Sequence, residues 1–279
     1  MIKLNKKIIP NKQCVEPFLS WAGGKRWFVQ KYSHLFPDNY DRYIEPFLGS
    51  GAVYFHLQPK KAILGDLNSD LISAYKALKE NHKLVYRYLR DHHRNHSEEY
   101  YYKIRGSNLK SLESRAAKFI YLNRTCWNGL YRVNLKGQFN VPIGTKKNVV
   151  RDGDCFDEIS SVLRKTKFLN KDFEDLIDMA GEGDLIFSDP PYTVRHNYNG
   201  FINYNEKLFS WYDQQRLFYA LKRAQKRGAY IVGTNAYHKS IRDLYRGEFG
   251  SLKASRSSSI SSKVESRKTF EEFVIFTEK

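Results

Sequence analysis

The sequence predicts an α/β protein on a mostly parallel sheet, with a mainly helical insertion in its middle. Three observations lead there. Short apolar runs alternate with helix-like spacings at both ends of the chain. The segment Arg42-Tyr43-Ile44-Glu45-Pro46-Phe47 reads as a strand, is broken by Gly49-Ser50-Gly51, and resumes as Ala52-Val53-Tyr54-Phe55, which opens a helix. A second short strand, Ala62-Ile63-Leu64, ends in Gly65-Asp66 about twenty residues after the first. Glycines in such a loop let the backbone approach a ligand closely, at a strand's carboxyl end and beside a helix N-terminus. A carboxylate closing the second strand is where nucleotide-binding α/β folds hold two ribose hydroxyls, which need a bidentate acceptor. The structural alternative for Asp66 is to cap the helix that follows, and the two roles are compatible if Asp70 does the capping.

The elements follow in order. Lys25 to Phe36 is patterned as a helix, strands lie near 42 to 47 and 62 to 66, and Ser69 to Glu80 is helical again. The character changes after that. Leu84, Val85, Tyr88 and Leu89, then Ala116, Ala117, Phe119, Ile120 and Leu122, recur at helical spacing amid abundant charge, which marks a helical insert. Residues 127–145 are aromatic and punctuated by glycine, the pattern of a hairpin. The core returns with Lys167-Phe168-Leu169, then Asp184 to Ser188, then a helix from Asp213 to Lys226 with Leu217, Leu221 and Ala224 on one face. Tyr230-Ile231-Val232 adds a strand, and Phe270 to Phe276 closes the sheet. Ser251 to Lys268, rich in Ser, Lys and Arg, reads as a flexible basic loop suited to phosphates. The composition change divides the chain into residues 1–78 with 164–279, and residues 79–163.

Composition adds a partner. At 279 residues and 41% hydrophobic the chain has a real core, and its net charge of +17 favours a polyanion. The 20 tyrosines offer stacking surfaces for bases. Cys14, Cys126 and Cys155 have no metal-like spacing and read as reduced thiols of a cytoplasmic protein. No apolar run reaches membrane-span length, and Met1-Ile2-Lys3-Leu4-Asn5 has no signal-peptide core. His92, His93 and His96 lie among charges rather than in a ligand pattern and read as a solvated or phosphate-facing surface, so no metal is expected.

The chemistry is carried by Asp189-Pro190-Pro191-Tyr192, directly after the apolar run Leu185-Ile186-Phe187 and Ser188. An exocyclic amine conjugated into a base is nearly non-nucleophilic until acceptors draw on its hydrogens. An aspartate carboxylate supplies one acceptor and the carbonyl of the next residue a second. Two prolines stiffen the backbone so that both oxygens converge, and Tyr192 offers a flat face to the base. The structural alternative is a turn in which proline ends a strand.

Glu45-Pro46-Phe47-Leu48-Gly49-Ser50-Gly51, Gly65-Asp66-Leu67-Asn68-Ser69-Asp70 and Asp189-Pro190-Pro191-Tyr192, in that order, resemble the Dam family of DNA adenine-N6 methyltransferases. Trp21-Ala22-Gly23-Gly24-Lys25 resembles its N-terminal motif. Asn123-Arg124-Thr125-Cys126-Trp127-Asn128-Gly129-Leu130-Tyr131-Arg132 and Gly137-Gln138-Phe139-Asn140-Val141-Pro142 resemble its DNA-contacting hairpin. The resemblance implies a Rossmann-like, seven-stranded mixed sheet with residues 79–163 as an inserted target-recognition domain. It implies S-adenosyl-L-methionine as cofactor, held by Trp21, Lys25, Glu45, Phe47, Gly49, Gly51, Asp66, Asp172, Phe173 and Asp189. Asp172-Phe173 reads equally as a plain strand-to-helix turn. Asp189, Pro190 and Tyr192 are the implied catalytic residues, acting on an adenine flipped out of double-stranded DNA. Arg124, Trp127, Asn128, Leu130, Arg132 and Pro142 are the implied DNA contacts, with Arg132 on a guanine, Trp127 inserted into the stack and GATC as the site. For Trp127 the alternative is a core aromatic. The enzyme is expected to be monomeric. A catalytically silent DNA-binding protein, or transfer to cytosine N4, RNA adenine or a glutamine amide, remains as the alternative; Asp189 in the first motif position favours adenine.

Overall fold

The computed structural model describes residues 15–134, 136–192, 209–257 and 269–278. Among them, seven strands form one sheet: β1 (Tyr43–Glu45), β2 (Ala62–Gly65), β3 (Thr166–Leu169), β4 (Leu185–Ser188), β5 (Tyr230–Ala236), β6 (Gly250–Ser257) and β7 (Thr269–Phe276). Their spatial order is β3-β2-β1-β4-β5-β7-β6. The first five run parallel, β7 is antiparallel to β5, and β6 is antiparallel to β7. The chain is therefore α/β with a seven-stranded mixed sheet, as its sequence predicts. Strand order reverses between β1 and β4, and in open α/β sheets ligands bind outside the carboxyl ends of the strands at such a reversal.

β1, β2 and β4 are buried throughout, which explains why they read as continuous apolar runs instead of alternating ones. Their residues divide between two faces. Tyr43, Leu64, Leu185 and Phe187 join a core with Phe28, Tyr54, Tyr75 and Phe168. Ile44, Ile63 and Ile186 join Phe173, Leu176, Leu217 and Leu221 on the other side. The helices covering these faces are α1 (Arg26–Tyr32), α2 (Ala52–Leu57), α3 (Ser69–Arg94), α4 (Glu98–Gly106), α5 (Leu112–Thr125), α6 (Phe156–Leu163), α7 (Phe173–Ile177), α8 (Trp211–Lys226) and α9 (Lys239–Tyr245).

Several boundaries move for local reasons. α1 stops at Tyr32, because Ser33–Leu35 tightens into a 3₁₀ turn and Phe36 is extended. α3 runs on to Arg94, 26 residues, with a kink at Asn81 (φ −148°, ψ 61°). Its cap is neither Asp66 nor Asp70: the Asn68 side chain accepts from the backbone of Asp70 and Leu71. Residue 79, the expected domain edge, thus lies in α3 two residues before this kink, and the half of α3 beyond it packs along α5. Val85, Leu89, Ile120 and Tyr121 from this pair belong to the same core as Tyr43 and Phe187.

Three expectations are corrected. Residues 127–145 fold back on themselves, but through isolated bridges (Cys126 with Ile143, Val133 with Phe139) instead of two regular strands. The Asn134 side chain takes the backbone N–H of Lys136 and of Gln138, competing with a ladder. The first part of the basic Ser251 to Lys268 segment is not a loop: residues up to Ser257 form β6, with Leu252 and Ala254 turned inward between exposed Ser251, Lys253 and Ser255. The remainder, 258–268, lies outside the described residues, as does Cys14. His92 is not a solvated surface group. It is buried, stacks on Tyr121 with ring centroids 4.9 Å apart and hydrogen-bonds the Tyr100 hydroxyl at 2.9 Å. Burial lowers its pKa to about 4.

Candidate active site

The strand order brings four carboxylates to one edge: Glu45 in the last position of β1, Asp66 after β2, Asp189 after β4 and Glu272 within β7. Lys25, which precedes α1 and is buried to 4% exposure, is held toward them by donating to the Gly23 carbonyl at 2.9 Å. Its Nζ lies 3.0 Å from Asp189 Oδ1 and 3.4 Å from Glu272 Oε2. The Thr234 hydroxyl, from β5, donates to the same Asp189 Oδ1 at 2.8 Å. Both contacts fall on one oxygen, while about a fifth of the Asp189 side chain (21%) remains exposed. Burial pushes the Asp189 carboxyl above the ordinary carboxylate range; the Lys25 ammonium pulls it back and Glu272 pushes it further up. The Tyr192 hydroxyl donates to Glu272 Oε2 at 2.7 Å, and the Lys25 ammonium stands 5.2 Å from the centre of its ring. Burial raises the Tyr192 pKa well above its usual value, and Asp189 and Glu272 add to the rise.

Across the strand reversal lies the glycine loop. Gly49 and Gly51 sit at φ +48° and +66°, in the left-handed region that glycine enters without strain. Gly49 also has no room for a side chain: a Cβ there would lie 2.9 Å from Trp21 Cδ1. Its N–H donates to Asp66 Oδ2 at 3.2 Å, its carbonyl accepts from Tyr75 at 3.2 Å, and Asp66 Oδ1 accepts from the Asn68 N–H at 2.9 Å. Burial raises the Asp66 carboxyl, opposed by those two N–H donors. Glu45 is buried and accepts from Tyr43 at 2.9 Å, and burial drives its carboxyl well up. Phe47 stacks on Phe173 at 5.4 Å on the other side of this edge. Asp172 caps α7 by accepting from the Glu174 N–H at 2.9 Å and pairs with Arg216 at 2.7 Å.

Of the remaining predicted residues, Trp127 (52% exposed), Asn128, Arg132 and Pro142 face solvent and Leu130 is half-buried. The exposure of Trp127 removes its core alternative. Asn128 takes φ +54°, which asparagine tolerates, so the turn at 127–129 thrusts the indole outward. Arg132 is braced from one side, donating to Asn140 Oδ1 at 2.8 Å and to the Asn140 carbonyl at 3.3 Å. Arg124 is the correction. It is 1% exposed and makes a two-pronged ion pair with Asp154, both contacts at 2.6 Å, while also donating to the carbonyls of Phe18 and Val149. A guanidinium satisfied in this way inside the core cannot reach DNA.

Sequence reasoning missed three groups. Asn123, buried, exchanges hydrogen bonds with the Ser20 backbone and donates to the Gly129 carbonyl, tying the Trp21 segment to the exposed turn. Tyr131 stacks on Trp21 at 5.9 Å. Glu272 and Thr234 complete the Asp189 cluster. A glutamate directly before the apolar run Phe273-Val274-Ile275-Phe276, on the face of the strand opposite to Glu271, was the available signal for Glu272.

Comparison with known proteins gives the family. The profile of the D12 class N6 adenine-specific DNA methyltransferase matches residues 21–260. A type II methyltransferase of Lactococcus lactis subsp. cremoris is 37% identical over 245 residues, 85% of this chain and 86% of that one. One from Methanocaldococcus jannaschii is 37% identical over 256 residues, 84% and 89% of the two chains. A DNA adenine methylase of Haemophilus influenzae is 32% identical over 267 residues, 92% of each. By this match over most of its length and these relatives, the chain belongs to the D12 class of N6 adenine-specific DNA methyltransferases.

Proposed function

We propose that the protein transfers a methyl group from S-adenosyl-L-methionine to N6 of an adenine flipped out of double-stranded DNA, within GATC, with residues 79–163 as the target-recognition domain of a monomer. The observation that carries the reading is the position of Asp189 at the strand reversal, one carboxylate oxygen anchored by Lys25 and Thr234 and part of the side chain still open. Oδ2 is then the acceptor that draws on an N6 hydrogen, and the Pro190 carbonyl is the second.

The residues fit the cofactor. Gly49 leaves a bare backbone against the Trp21 indole, where any side chain would collide. Asp66 spends one lone pair per oxygen on an N–H, and each oxygen keeps another for a ribose hydroxyl. Buried carboxylates at this edge favour a cationic guest. Trp21, Lys25, Glu45, Phe47, Gly49, Gly51, Asp66, Asp172, Phe173 and Asp189 are the proposed surroundings. The bound sulfonium supplies an activated methyl with an excellent leaving group, so no further activation of the carbon is required. The protein's share is to desolvate and orient the amine: Asp189 and Pro190 polarise it, and Tyr192 stacks on the base.

Unstacking a base costs a few kcal/mol, which the basic surface and the exposed Trp127 are placed to offset. Arg132 is the proposed guanine reader, with Asn128, Leu130 and Pro142 beside it. The test is incorporation of labelled methyl from S-adenosylmethionine into duplexes, followed by sequencing of the methylated bases. N6-methyladenine in GATC is the expected product; no incorporation, or methyl on cytosine, overturns the reading.

A further inference from the structure

We propose that Glu272 is a positioning residue for methyl transfer: its carboxylate holds the Tyr192 ring and the Lys25 ammonium where they act on the base and on Asp189. This rests on the function proposed above. Glu272 is 2% exposed and sits within β7, opposite Ala236 of β5 and Ala254 of β6, both fully buried. Two small neighbours in register give a larger side chain room at this point of the strand, and unlike its neighbour Glu271, which pairs with Lys253 at the surface, Glu272 points into the buried side. A buried carboxylate is costly, and apolar residues of similar volume usually serve stability as well or better. Retaining one here makes sense through what it holds.

It holds two of the groups that face the base. Oε2 accepts the Tyr192 hydroxyl at 2.7 Å, which tethers the ring at the end away from its stem and fixes the plane of its face. The same oxygen lies 3.4 Å from Lys25 Nζ, whose other carboxylate partner is Asp189 Oδ1 at 3.0 Å. Lys25 thus bridges two carboxylates, and the cluster of Lys25, Asp189 and Glu272 carries a formal charge of −1. Thr234 anchors Asp189 from β5. Five side chains from four parts of the fold are locked into one chain, Tyr192 to Glu272 to Lys25 to Asp189 to Thr234. Glu272 is the member that reaches Tyr192 and Lys25 together.

The experiment compares Glu272→Gln, Tyr192→Phe and the double variant with wild type on a GATC duplex, measuring single-turnover rate, duplex Kd, thermal midpoint and pH profile. Glu272→Gln keeps the shape and removes the charge; Tyr192→Phe keeps the ring and removes the tether. Each is expected to slow transfer roughly tenfold to a hundredfold, the effect of losing one charge-assisted hydrogen bond in the transition state, with duplex Kd unchanged. The double variant is expected to be less than multiplicatively slower, close to Glu272→Gln alone, because the hydroxyl that Tyr192→Phe removes acts only through Glu272, whose hold on Lys25 is a separate contact. The acidic limb of the rate profile should move to lower pH in Glu272→Gln, since the negative charge that raises Asp189 is gone while Lys25 and Thr234 still face it. A wild-type rate in Glu272→Gln, effects that multiply in the double variant, or an unmoved acidic limb overturns the role. If Glu272→Gln does not fold, Tyr192→Phe decides: an unchanged rate there overturns the tether. A wild-type protein that transfers no methyl defeats the function, not this role.

Discussion

The Asp189 cluster and the Trp127 turn are held by opposite means. At Asp189, side chains from four parts of the fold converge on one oxygen and its neighbours, buried and cross-linked. At Trp127 a largely exposed indole projects from a turn kept in shape by local bonds: Gly129 N–H to Cys126, Leu130 N–H to Trp127, and Arg132 braced on Asn140. Chemistry on a poor nucleophile needs acceptors fixed in advance and freed of competing water. Reading a duplex needs groups that reach outward and adapt to a base edge. The two regions should therefore fail differently when altered, and four outcomes test this.

The largest effect is expected from Asp189→Ala, which removes an acceptor used only on the flipped base. Methyl transfer should fall by roughly a thousandfold or more, about 4 kcal/mol, while duplex affinity, supplied mostly by phosphate contacts, changes little. Transfer near the wild-type rate would mean that Asp189 is not the acceptor. Arg124→Ala comes next and should act on folding alone. Leaving the largely buried Asp154 carboxylate without its guanidinium partner, with the Arg151 N–H still donating to it, costs up to about 3–5 kcal/mol, read as a lower denaturant midpoint. A stable protein with weakened DNA binding would restore Arg124 as a contact.

Arg132→Ala should leave stability intact and narrow the preference for one base of the site by roughly 1–3 kcal/mol, about ten- to a hundredfold. The measurement is the rate on duplexes differing by one base pair in and around GATC; equal slowing on all of them makes Arg132 a phosphate or structural residue. The smallest change per residue is electrostatic. With about six phosphates neutralised, log affinity should fall with log salt at a slope near −5, and replacing exposed Lys146 by Gln should reduce that slope by about 0.9 if it meets a phosphate. A flat salt dependence means the charge of +17 serves something else.

Much of this was legible because single segments carry their own signal. The fully buried strands appear as apolar runs, the glycine loop as Gly49-Ser50-Gly51, and the Asp-Pro-Pro-Tyr motif as itself. Where the reading went astray, a competing partner lay far off in sequence. Arg124 sits within a basic, aromatic stretch and looks like a DNA contact until Asp154, 30 residues on, turns out to be facing it. His92 lies between charges, and only the fold shows Tyr121 beneath it. The segment at 251–257 has the composition of a loop, yet β7 offers it a ladder and its alternation suits an edge strand.

The class of fold, the order of the motifs and the residue types that the chemistry requires are readable from the chain alone, since these depend on local periodicity and on side chains met one at a time. The tertiary structure decided which oxygen of Asp189 is anchored, which arginine is buried, and that Glu272 on the seventh strand reaches Tyr192 and Lys25, separated from it by 80 and 247 positions. Such pairings arise when a doubly wound sheet brings the ends of non-consecutive strands side by side, and no local pattern records which carboxylate will meet which cation there.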